Sequence, residues 1–165
     1  RSVVTCSRLD KMVNITNDPS ILSSAGSLAR DCGNFEQSLV IFKNIEDKAP
    51  HFRLWFKKDY AWTFLISQYM EKIDNFDEAK FFINNQLDKQ FKEDGINEMW
   101  LIMLAYIASV EGDTDKAKYY FNEQTKMTNP INVIWSNKYP DILDENPAFR
   151  DSFFSELEKL GLKLK

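Results

Sequence analysis

Three stretches of this chain say nearly the same thing. "GNFEQSLVIF" begins at Gly33, "DNFDEAKFFI" at Asp74 and "GDTDKAKYYF" at Gly112. Each reads as a turn residue, then Asn or Asp, an acidic opening, a small residue and an aromatic or aliphatic run. The segments before them match as well. Leu22, Ala25, Gly26 and Ala29 precede the first, and Leu101, Leu104, Ala105 and Ala108 take the same places before the third. Thr63, Ile66, Ser67 and Met70 stand before the middle one. The small residues Ser38, Ala79 and Ala117 fall 41 and 38 residues apart, and Phe42, Ile83 and Phe121 each follow four residues later.

Apolar residues three and four apart share one stripe of a helix, so each unit reads as two amphipathic helices. The small pair in the first helix and the small residue early in the second let the two approach closely. The bulky residue four positions on lies on the same face. Gly33 and Gly112 suit a backbone that must turn back sharply, and Asp74 takes that place in the middle unit. Asn34, Asn75 and Asp113 are placed to cap the second helices. Only five Gly and five Pro occur in 165 residues, too few for the many turns of an all-β domain.

This pattern resembles the tetratricopeptide repeat, with its small-residue pair, its A-x3-F spacing and its closing proline. The resemblance runs from Pro19 to Pro130. Gly26, Ser38, Phe42 and Pro50 carry it in the first unit, and Leu104, Ala105, Ala117, Phe121 and Pro130 in the third. The middle unit departs from it at Ser67, Ile83 and Phe91, and "HFRLWFKKDYAWTFL" lengthens its first helix. The resemblance implies an all-α, right-handed solenoid of about three helix pairs. Residues 1–18, with Thr5, Leu9 and Met12 on the stripe, read as the second half of a preceding pair. Residues 19–130 hold the repeats, and 131–165 form a C-terminal cap. The cap has breaks at Pro140 and Pro147, then a helix striped by Phe149, Phe153 or Phe154, Leu157 and Leu160, ended by Gly161.

The expected function is protein–protein recognition within a larger bacterial regulatory or assembly protein. In such a solenoid the first helices line the concave face. The side expected to be open carries Ser20, Ser23, Ser27 and Arg30 in the first unit. Ala61, Phe64, Gln68 and Glu71 follow in the second, and Met99, Ile102, Tyr106 and Ser109 in the third. Phe64, Gln68, Glu71, Met99, Ile102, Tyr106 and Ser109 are the candidate partner-binding residues. They suit an apolar peptide or a helix, supplied by another protein or by a neighbouring domain of the same chain. The competing reading is that the tail helix or upstream repeats cover this face. The rival functions are a helical domain of an enzyme and a structural dimerisation arm.

Little else points to chemistry. His51 is the only histidine, which leaves no pair for zinc, and Asp113 and Asp115 lack the glycine and closing glutamate of a calcium loop. Asp141, Asp144 and Glu145 sit on a polar stretch and read as solvated. Trp100, Tyr119, Tyr120 and Phe121 could stack on bases, but at helical spacing in an acidic chain most of them read as core. No catalytic residue, metal site or cofactor is expected. A net charge of −4 argues against nucleic acid, and no run reaches the ~20 apolar residues of a membrane span. Asn14-Ile15-Thr16 is a formal glycosylation sequon, of consequence only in a secreted chain. A cytoplasmic location is expected, with Cys6 and Cys32 as free thiols.

Overall fold

A computed structural model describes residues 6–72, 75–93, 95–131, 135 and 138–163. It is all-helical: among the described residues there are nine α-helices and no strand. They are α1 (Leu9–Asn14), α2 (Pro19–Asp31), α3 (Phe35–Lys48), α4 (Leu54–Glu71), α5 (Asp77–Asp88), α6 (Ile96–Val110), α7 (Thr114–Thr125), α8 (Asp141–Glu145) and α9 (Pro147–Glu158). None is long and apolar enough to cross a membrane. The chain forms two compact units, Arg1–Ser67 and Gln68–Lys165, so the division falls inside α4. The expected turn at Asp74 and the stripe position Thr5 lie outside the described residues.

Local chemistry starts and stops these helices. Pro19 opens α2, where its missing N–H costs nothing, and the Asp18 carboxylate accepts a hydrogen bond from the Ser20 amide at 2.8 Å. The Asn34 side chain accepts from the Gln37 amide at the head of α3, and Asp113 from the Lys116 amide at the head of α7. Asn75 serves α5 from one position further out, accepting from the Asp77 amide at 2.8 Å. The ends of α2 and α6 close with one clamp. The Asn34 amide donates to the Ala29 carbonyl at 2.8 Å, and the Asp113 amide to the Ala108 carbonyl at 2.9 Å. This closure needs a left-handed residue just inside it, which Gly33 and Gly112 supply with φ of +83°.

In the first unit, α2 and α3 pack as a hairpin around Gly26. A Cβ added at Gly26 would stand 2.8 Å from Cδ1 of the Phe42 ring, so only glycine lets this fully buried ring come so close to α2. Ser38 takes the small-residue position with a second task, its hydroxyl donating to the Gly26 carbonyl at 2.7 Å. Phe42 also meets Phe56 and Tyr60 at centroid distances of 5.5 and 5.8 Å. Phe52, Phe56, Tyr60 and Phe64 recur every fourth residue and form a continuous ladder of rings. Lys57 lies 2 % exposed, paired with Glu46 and donating to the Pro50 carbonyl at 2.8 Å.

The expected free thiols are corrected. Cys6 and Cys32 form a disulfide, with Cα atoms 6.0 Å apart. Cys32 is the C-cap residue of α2, and the packing of α1 on α2 brings Cys6 beside it. Helix α1 has six residues and one buried side chain, Leu9. That burial contributes roughly 1.5–3 kcal/mol. Fixing each backbone residue costs roughly 1–2 kcal/mol, so the covalent tie adds to what the half-buried Met12 and Val13 contribute in holding α1 in place.

The second unit holds α6 and α7 as its hairpin, with α5 against α6. Ala117 is fully buried where α7 meets its neighbour, and Phe121 lies 5 % exposed four residues on. The buried Gln124 side chain accepts from the Ile131 amide at 3.0 Å and fixes the exit of the chain from α7. Pro147 then starts α9, and Gly161, with φ of +116°, follows its end.

Candidate functional site

Helix α6, "INEMWLIMLAYIASV", is apolar almost all round, and a helix of that composition must be covered on every side. Ile96 and residues 98–108 are buried, and Val110 at its end is exposed. Met99, Ile102 and Tyr106, expected on an open face, are 6 %, 0 % and 1 % exposed. The cover over Tyr106 is α9. The Tyr106 ring meets Phe149 edge-on at 5.6 Å and Phe153 at 5.0 Å. Phe149 also meets Tyr69 at 5.8 Å, and Phe153 meets Trp135 at 6.1 Å. Burial pushes the Tyr106 phenol above its ordinary pKa, against a hydrogen bond with Ser152 that pulls it down. An open groove along α6 is therefore corrected to one in which the tail helix seats its Phe149-Phe153-Leu157 stripe.

Polar contacts fix the rim of this seat. Ser109, half-buried near the end of α6, donates its hydroxyl to Glu156 at 2.6 Å, and Lys159 pairs with the same carboxylate at 3.0 Å. Burial alone would raise the Glu156 pKa; Ser109 and Lys159 outweigh it and hold the pKa below the ordinary glutamate value. A depressed carboxylate stabilises the fold above its unfolded pKa and loses that contribution as pH falls through the folded value. Glu156→Gln is accordingly expected to lower the melting temperature slightly above about pH 5 and not at all in strong acid. Parallel thermal melts across that range check it, and a constant gap at every pH would contradict it.

The remaining candidates have other surroundings. Gln68 is 8 % exposed, and its amide donates to the Asn75 carbonyl at 3.0 Å, bracing the segment before α5. Glu71 is exposed at the end of α4. Phe64, in the first unit, is 8 % exposed and continues the ring ladder against Tyr60 at 6.0 Å. The structure thus gathers Met99, Ile102, Tyr106 and Ser109 on one helix, gives Gln68 a bracing role and makes Phe64 core.

Asp59 was not legible as a site residue. In the first unit it accepts from Ser27 at 2.6 Å and pairs with Arg30, which also donates to Thr63 at 3.1 Å. The i,i+3 spacing of Ser27 and Arg30 and the i,i+4 spacing of Asp59 and Thr63 were visible; that they face each other was not. His51 is exposed. Asp144 lies at the surface, accepting from Tyr139 at 2.7 Å and Arg150 at 2.9 Å, and these partners lower its pKa. No group of three or more His, Cys, Asp or Glu among the described residues could hold a metal ion. The Tyr119 and Tyr120 rings meet at a tilt with centroids 5.6 Å apart, Tyr119 being 59 % exposed, whereas Trp100 and Phe121 are core.

No protein-family model, curated protein or solved structure matches this chain.

Proposed function

We propose that this chain is a protein-recognition module of tetratricopeptide type, a right-handed helical-repeat scaffold that takes an apolar peptide or amphipathic helix within a larger bacterial regulatory or assembly protein. One observation carries the reading. A first helix of a hairpin, α6, already holds an amphipathic helix through aromatic anchors spaced at i and i+4, which is the helix-in-groove mode of recognition. The occupant is the chain's own α9, acting as the closing cap of the second unit. The repeated small residues, the Gly33 and Gly112 turns and the hairpin packing support the repeat architecture.

The test weakens the resident helix and offers a replacement. A synthetic peptide of residues 140–163 is titrated by calorimetry into the full chain and into Phe153→Ala. The expected result is binding to the variant and none to the unaltered chain, whose seat is filled. No binding to a variant that keeps its helicity would make α9 a fixed part of the core and remove the support for this mode of recognition.

A further inference from the structure

We propose that the Cys6–Cys32 disulfide is a thiol-reducible latch that holds α1 on the α2–α3 hairpin of the first unit, so that reduction frees α1 and leaves the hairpin folded. The bond joins a residue just before α1 to the residue that caps α2. Helix α1 is six residues long with Leu9 as its one buried side chain, well below the ~12–15 residues at which helices hold themselves in water. The hairpin closes without it: Phe42 lies on Gly26, Ser38 bonds the Gly26 carbonyl, and Asp18 and Asn34 cap the two helices. Both cysteines are half-buried rather than sealed, so a thiolate can approach the bond.

The exchange balances with a dithiol as reductant. Its thiolate attacks one Sγ of the pair, the Cys6–Cys32 bond breaks, and the other cysteine leaves as a thiolate that takes up a proton. The second thiol of the reductant then attacks the mixed disulfide and releases the remaining cysteine. The protein gains two electrons and two protons, and the dithiol becomes a disulfide. The latch is closed in an oxidising compartment and opens in a thiol-reducing one. Opening uncovers the surface that α1 shields and releases Leu9 and Met12 beside Ile15, already 79 % exposed.

Amide hydrogen exchange of the full chain, read by mass spectrometry, tests this. The samples are the oxidised chain, the chain with dithiothreitol, and the chain after re-oxidation. Peptides covering 9–14 are expected to lose protection on reduction by about two orders of magnitude and to regain it on re-oxidation. Peptides covering 35–48 are expected to keep theirs. A Cys6→Ser/Cys32→Ser chain should show the reduced pattern without reductant. Protection of 9–14 that survives reduction would overturn the latch. Loss of protection in 35–48 together with 9–14 would also overturn it, since the bond would then hold the whole unit.

Discussion

Ala117→Arg is expected to unfold the second unit or to lower its stability by about 3–5 kcal/mol. Ala117 is fully buried on α7, in the hairpin with α6, at the place where Ser38 and Ala79 stand in the other repeats. An arginine there must either bury its guanidinium among apolar atoms or push the two helices apart. The first leaves a charge buried without a partner, and the second exposes α6, which is apolar almost all round. Since a whole domain is stable by only ~5–15 kcal/mol, the loss is a large fraction of the total. Circular dichroism melts read it directly. An unchanged midpoint would mean that Ala117 does not sit between the helices.

Removing residues 140–165 is the second change with a large expected effect. It deletes Phe149, Phe153 and Leu157, each no more than 1 % exposed, together with the buried Ile142 and Leu143 of α8. The Tyr106 ring loses both aromatic neighbours from α9, and Ser109 loses the Glu156 carboxylate. For scale, truncating one buried phenylalanine costs roughly 3–5 kcal/mol. A stack of helix pairs needs a terminal element with one polar side, and α9 has that form, with Asp151, Ser155, Glu158 and Lys159 exposed opposite its stripe. The truncated chain is expected to aggregate or to unfold in urea without cooperativity. A truncated chain that elutes as a monomer and unfolds with the full chain's midpoint and slope would contradict this.

Much of the fold was legible because it is written locally. Asn34 and Asp113 cap helices within three residues of themselves, and Gly33 and Gly112 serve turns they belong to. Pro147 and the stripe after it announce α9 in the same way. The site was harder for a physical reason. Helix α6 is apolar almost all round, so its sequence does not say which side another helix covers; the answer lies some forty residues on, in the spacing of Phe149 and Phe153. The partnership of Asp59 with Ser27 and Arg30, and that of Cys6 with Cys32, likewise depend on helices packing side by side. Residue types alone do not encode which distant partner a side chain meets. The compositional habits of reducing compartments led to free thiols, and the geometry of α1 on α2 outweighs them.

The seating of α9 on α6 is the claim from which the recognition proposal follows, and a double-mutant cycle on Tyr106 and Phe153 tests it most directly. Urea unfolding is measured for the unaltered chain, Tyr106→Ala, Phe153→Ala and the pair. Ring centroids 5.0 Å apart across the two helices predict a coupling of about 1 kcal/mol or more, so that the double change costs less than the sum of the single ones. Costs that add to within ~0.5 kcal/mol would mean that the two rings do not touch and that α9 does not occupy the α6 seat.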